Sequence, residues 1–291
     1  MTKRRLAQFP KRTLQRALKK LHSLLGELRP DDSEIVEATH LLRVASRRAD
    51  VALRLFREWI PRHRRHQLKS MLKQIRVDAG AVRDLDLLEP RWHPDTGDSA
   101  SQVSPEAAAW LHARIHDHRS VAFDRMLRWT HQPRRKRFRK QSRQLLDQFK
   151  PRGTRRFLRQ IPRAIAKLVD EFREAAPITV QRLVDSHRTR ICARRLRYGV
   201  ELLQAVIPDN TTQLVSSLEA IQEQLGQIND DATANRFVRQ SLAACGDPKI
   251  AASLQSWLDR SEAAAMNRLA ELSIQMPSPT QSLRQFLGQA D

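Results

Sequence analysis

Cysteine is almost missing from this chain: Cys192 and Cys245 are the only two, with no CxxC and no Cys/His pairing at zinc spacing. Disulfide staples and a structural zinc site are thereby excluded as organising devices, and a reducing, cytoplasmic compartment is expected. Glycine is scarce, at 8 of 291 residues, and no stretch alternates apolar with polar residues, so strands are not expected. No apolar run approaches the roughly 18 residues that would suggest a membrane span. The basic start MTKRRLAQFPKR is not followed by the apolar stretch of a secretory signal, so neither export nor membrane insertion is expected. Aromatic residues make up 5% of the chain and include a single Tyr, which leaves few platforms for stacking unpaired bases. GxxxxGK[ST], GxSxG and HExxH are all absent. No nucleophile or acid/base pair stands out, so no catalytic residue, metal site or cofactor is expected.

What the chain has in excess is positive charge. Its 53 Lys and Arg against 32 Asp and Glu leave a net charge of +21, a field that attracts polyanions before any specific contact forms. Of those cations 42 are Arg and 11 are Lys; a planar guanidinium grips two phosphate oxygens at once, whereas an ammonium acts as a point charge. The excess is also uneven. Residues 1–200 carry 47 Lys/Arg against 21 Asp/Glu, net +26, while 201–291 carry 6 against 11, net −5. A surplus serving solubility alone would be spread along the chain, so the asymmetry points to a localised binding surface.

Apolar residues recur at spacings of three and four nearly throughout, which makes the expected fold class all-α. The periodicity predicts helices over 11–29, 32–59, 61–79, 80–89, 104–130, 134–149, 154–175, 177–207, 210–227, 229–245 and 247–274, and a short one near 279–288. Asp31 or Asp32 is expected to cap the second of these and Pro61 to follow it; Pro177 and Pro208 frame the eighth in the same way. Loops are expected at 90–105 and at the break HQPRRKR, 131–137.

The strongest organisational signal is internal repetition. HLLRVASRR at 40–48 and HRTRICARR at 187–195 both place His at position 0 and Arg at +3, +7 and +8. GAVRDLD at 80–86 likewise matches GQINDDA at 226–232, in its Gly, its apolar third residue and its Asp at the fifth. His40 precedes Gly80 by 40 residues and His187 precedes Gly226 by 39, and the two His are 147 apart. The pattern predicts two related four-helix bundles about a pseudo-twofold axis in a single domain over 1–291. The first would span 10–130 and the second 150–275, joined by a basic connecting segment at 131–149.

At about 100° per residue, positions 0, +3 and +7 fall within about 60° of one another. His40, Arg43 and Arg47 therefore share one helix face, which Arg54 extends, and His187, Arg190 and Arg194 share another. Arg48 and Arg195 flank these stripes. Leu41, Leu42, Ala45, Ala49, Ala52 and Phe56 occupy the opposite side of the first helix and are expected in the core. Like charges on one helix face repel, so a stripe of this kind needs either carboxylates on neighbouring helices or an external anion. Phosphates beside His40 and His187 would favour the imidazolium, and nearby arginines would oppose it in the free protein.

Asp84 and Asp86, with Asp230 and Asp231, allow two readings. They could hold a divalent ion, or they could pair with motif arginines or cap a helix start; the second is preferred, with Asp84 and Asp230 orienting guanidinium groups. His112, His116 and His118 include an i,i+4 pair, but no acidic partner in HExxH style accompanies it. Further cations that could extend an anion track are Lys69, Lys73 and Arg83, the group Arg62, Arg64 and Arg65, and the runs 134–143 and 152–163.

These four blocks, HLLRVASRRADVALRLF with GAVRDLDLL and HRTRICARRLRYGVELL with GQINDDA, resemble in order and spacing the two repeats of the CHAD family, the conserved histidine α-helical domain. The resemblance covers roughly residues 10–275. It implies paired helical bundles whose basic helices line a central groove binding inorganic polyphosphate, and association with polyphosphate granules. Carried over by position, His40, Arg43, Arg47 and Arg48 match the first motif and His187, Arg190, Arg194, Arg195 and Arg197 the second. Some members carry an N-terminal triphosphate-tunnel (CYTH) domain; no ExExK lies near the start of this sequence, so a stand-alone CHAD protein is expected. Thr189 departs from the pattern, standing where an apolar residue is expected. The expected function is therefore non-enzymatic polyphosphate binding. The alternatives are a nucleic-acid-binding protein, although no helix-turn-helix or finger pattern is present, and a metal-dependent phosphohydrolase using the Asp pairs.

Overall fold

The computed structural model describes residues 3–28, 34–92, 103–150, 153–176, 183–207 and 211–272. Among them every regular element is helical: α1 (Lys3–Glu27), α2 (Ile35–Leu55), α3 (Arg62–Asp86), α4 (Pro105–Leu127), α5 (Gln132–Asp147), α6 (Thr154–Ala175), α7 (Leu183–Leu203), α8 (Thr212–Leu242) and α9 (Pro248–Glu271), with short 3₁₀ turns at Arg57–Trp59 and Glu89–Trp92. The all-α expectation holds. Asp31, Asp32, Pro177, Pro208 and the helix expected near 279–288 lie outside the described residues.

Several boundaries differ, each for a physical reason. The helices expected at 61–79 and 80–89 are one helix, α3, and those at 210–227 and 229–245 are one helix, α8. Gly80 and Gly226 sit inside them. A helix-interior glycine costs about 1 kcal/mol relative to alanine, and burial of Ala79 and Val82 beside one, and of Leu225 and Ile228 beside the other, outweighs it. α1 begins at Lys3 and runs through Pro10, because Phe9 is buried against Phe157 with ring centroids 5.8 Å apart. The 131–137 break shrinks to a turn: Pro133 enters the first turn of α5, where a missing N–H is harmless. Segment 131–149 is thus mostly helix, and it buries Phe138 and Leu145 against α1 and α3.

Neighbouring helices pack in chain order: α1 on α2, α2 on α3, α3 on α4, then α6 on α7, α7 on α8, and α8 on α9. The contacts α1·α6, α2·α7 and α4·α9 join the two series. One continuous core runs through α1 to α8, and a smaller cluster ties the start of α4 to the end of α8 and to α9 around Trp92, Phe237 and Trp257. Leu42, Ala45, Ala49, Ala52 and Phe56 are buried as expected, but Leu41 is exposed at 38%. It lies at the edge of the apolar arc, beyond the reach of neighbouring helices. Thr189 is fully buried, and its hydroxyl donates to the carbonyl of Ala175 at the last turn of α6. A helix-end carbonyl has no intrahelical donor, so the polar residue fits where the pattern favoured an apolar one.

Candidate anion-binding site

One side of α2 is taken up by α1 and α3, and one side of α7 by α6 and α8, and among the contacts between the two series α2 packs on α7. This contact brings the two arginine stripes together. Burial first, and then the charges of Arg194 and Arg43, push Arg47 down to about 8. Burial followed by the charge of Arg190 pushes Arg194 down to about 10. Arg190 is also lowered, by burial first; Asp230 and Asp84 pull it up and Arg43 pulls it down. Four guanidinium groups from two helices therefore occupy one partly desolvated region, where a charge without a partner is costly.

Carboxylates relieve little of that cost. Asp84 accepts from Arg43 at 3.1 Å and acts on Arg190 across the interface. Among the described residues no carboxylate lies within ion-pair distance of Arg47, Arg190 or Arg194. The cluster is charged, concentrated and mostly uncompensated, which is the arrangement that favours a multivalent anion.

The remaining candidates divide sharply. Arg54 leaves the cluster and pairs with Glu171 of α6. Arg195 lies with Arg54 and Glu171 around the buried Cys192, whose thiol burial pushes up and Arg195 pulls down. Arg48 is bound to Glu201 at 2.6 Å, and Arg197 to Glu219 at 2.7 Å. Both also flank the ring of Tyr198, with guanidinium carbons 5.4 and 5.0 Å from its centroid. A network of Tyr198, Glu201 and Glu219 thus holds this margin of the interface. Sequence reasoning missed it, although Tyr198 is the sole Tyr and Glu201 stands four residues after Arg197, the spacing of a helical ion pair.

The histidines lie at the exposed margin. His187 donates from Nδ1 to Asn229 Oδ1 at 2.9 Å, which fixes its ring. His40 has a lowered pKa: burial is the main cause, Glu37 opposes it, and Arg83, Arg43 and Arg47 add to it. Folding stability that depends on neutral His40 is therefore present above its unfolded pKa and is lost as pH falls from there through the lowered folded value. His40 is expected to be neutral at pH 7 in the free protein, and a polyanion seated beside it should raise its pKa. A proton-detected NMR titration with and without polyphosphate reads the shift; an unchanged His40 would place the anion elsewhere.

Arg83 thus belongs to the margin of the site. Lys69 and Lys73 are exposed on α3 within about 80° of Arg83 around the helix. Gly80 lies between them around the helix and is buried, and a Cβ there would meet nothing within 4 Å. The carboxylates behave differently from one another. Asp84 pairs with a motif arginine, and Asp230 acts on one through its charge. Asp86 pairs instead with Arg119 at 2.7 Å, and Asp231 with Arg91 at 2.9 Å and with Arg268. None caps a helix start, since α3 and α8 run through the positions where starts were expected. Among the described residues no three His, Cys, Asp or Glu side chains gather where they could hold a metal ion. His118 packs edge-on against Phe237 at 5.8 Å.

Fold and site together define an all-helical protein whose two central helices oppose their arginines. The chain belongs to the CHAD domain family, whose model matches residues 12–239. Its fold is similar to the crystal structure of the CHAD domain from the plant Ricinus communis, with a TM-score of 0.69 and 23% identity over 97% of this chain and 91% of that one. It is also similar to PptA from Streptomyces chartreusis, with a TM-score of 0.67 and 17% identity over 99% and 98% of the two chains. No curated protein matches it at a significant level. Among the described residues no helix is long and apolar enough to cross a membrane.

Proposed function

We propose that this protein binds inorganic polyphosphate without turning it over, seating the chain along the arginines shared by α2 and α7. In this reading residues 1–291 form one binding domain, to which the related halves 10–130 and 150–275 each contribute a stripe. The protein acts in the cytoplasm, on polyphosphate granules.

The observation that carries the reading is the pair Arg47 and Arg194, buried where α2 meets α7 with no carboxylate in reach, beside an Arg190 that Asp230 and Asp84 offset through charge alone. A phosphate chain supplies a regular series of oxygen pairs that match guanidinium forks, and it returns to each arginine the counter-charge that the fold withholds. Affinity comes from these bonds and from counterion release, so it falls steeply as salt rises. Family membership supports the same conclusion, as does the concentration of positive charge before residue 200.

The test is a competition at equal phosphate concentration and two ionic strengths. Labelled polyphosphate should resist displacement by duplex DNA and by RNA, and no orthophosphate should be released with or without Mg²⁺. Displacement by nucleic acid at parity would replace the reading with a general nucleic-acid binder. Mg²⁺-dependent release would make the protein a hydrolase.

A further inference from the structure

A second cationic feature lies away from the α2–α7 interface. Between the end of α2, the following 3₁₀ turn and α6 there is a cleft of about 260 Å³. Arg54 and Arg57 form one wall, and Arg156, Arg159, Arg163 and Lys167 the other. The α6 residues recur at three and four, so they stand as one stripe on its outer face. Two carboxylates border the cleft and both are engaged: Glu58 accepts from Gln160, and Glu171 from Arg54. Among the described residues, Arg57, Arg156, Arg159, Arg163 and Lys167 have no carboxylate within ion-pair distance.

Part of this stripe is repeated in the sequence. Arg12, Arg16 and Lys20 of α1 stand 147 residues before Arg159, Arg163 and Lys167, the same offset as between the two motif histidines. The core positions keep that register too: Leu14, Leu18 and Leu21 correspond to Ile161, Ile165 and Leu168, and all six are buried. The copies differ in what faces them. Beside Arg12 and Arg16 the lining residues all come from α1, whereas on α6 a second element supplies Arg54 and Arg57 and makes the surface concave.

We infer that the cleft between α2 and α6 is a separate binding site for a compact oligophosphate of two or three phosphoryl groups. Its volume falls just below the ~300–1,000 Å³ of ordinary small-molecule pockets, which suits a short phosphate run better than a whole nucleotide. Its floor of Leu55, Trp59 and Leu168 is packed in the core, so charge and size select the ligand without stacking. Its outer arginines are exposed, so they bind at little desolvation cost, unlike those between α2 and α7. The two sites use different arginines, so substitutions aimed at one leave the residues of the other in place.

Inorganic triphosphate is the probe, titrated calorimetrically into the full chain in moderate salt. Four proteins are compared: the wild type, Arg159→Gln/Arg163→Gln, Arg47→Ala/Arg194→Ala, and the quadruple variant, each checked for helicity by circular dichroism. In the Arg47→Ala/Arg194→Ala background, triphosphate should still bind, and the added glutamines should weaken it about tenfold or more, the loss expected for removing charge-assisted hydrogen bonds. Equal binding with and without the glutamines in that background overturns the inference, as does complete loss in Arg47→Ala/Arg194→Ala. Long-chain polyphosphate distinguishes the two proposals: the Arg159→Gln/Arg163→Gln protein should retain it, and loss there alone would sink the α2–α7 reading while leaving the cleft in place.

Discussion

Replacing Arg47 and Arg194 together by alanine is expected to weaken polyphosphate binding a hundredfold or more. Hydrogen bonds to charged groups contribute about 1.5–3 kcal/mol each, and two arginines that each lose at least one such bond account for that range. Changing Lys136, Arg137 and Lys140 together, exposed on α5 with no part in the interface, should alter affinity only a few-fold through the general field. The same two arginines should have the opposite effect on the fold. They are partly desolvated, repel each other and lack carboxylates. Replacing unpaired or poorly paired buried charges by apolar side chains of similar volume is often neutral or stabilising, by about 1–4 kcal/mol. Arg47→Met/Arg194→Met should therefore melt higher than the wild type while binding polyphosphate poorly. Equal losses of affinity from the interface and α5 sets would refute the assignment of the ligand to α2 and α7.

The second large effect is stabilisation of the fold by a bound anion. Burial first, and then neighbouring arginines, disfavour the charged forms of Arg47 and Arg194. A guanidinium keeps its proton across the ordinary pH range, so the free protein carries this electrostatic penalty at every such pH. A bound phosphate chain supplies the missing counter-charge, and at a hundred times its Kd it adds about 2.7 kcal/mol of stability. Urea unfolding of the wild type and of Arg47→Met/Arg194→Met, with and without polyphosphate, measures the effect. Equal stabilisation of the two proteins by polyphosphate would show that the cluster is not the source.

Much of this was legible in the sequence because helix faces are local geometry. The spacing 0, +3, +7 places His40, Arg43 and Arg47 on one side of α2 whatever surrounds it, and repetition at 187–195 marks α7 as its counterpart. The merging of α3 and of α8 was not legible, because the glycine signal at Gly80 and Gly226 is local while the burial that overrides it comes from neighbouring helices. The 147-residue register of α1 and α6 was present in the sequence, but it is carried by scattered core positions rather than by a compact motif.

The sequence by itself determined an all-α chain, a concentration of positive charge before residue 200, two arginine stripes in matching register, and Asp84 as a partner for one of them. Only the tertiary structure decided which arginines remain without an ion-pair partner. Arg48, Arg54 and Arg197 read much like Arg47, Arg190 and Arg194 along the chain, yet Glu201, Glu171 and Glu219 pair with the first three and no carboxylate lies within ion-pair distance of the others. The opening stripe HLLRVASRR faces its copy because α1 and α3 cover the remaining sides of α2. A stripe's direction follows from periodicity within one helix. What it meets depends on packing between residues more than a hundred positions apart, and that packing is where the uncompensated charge arises.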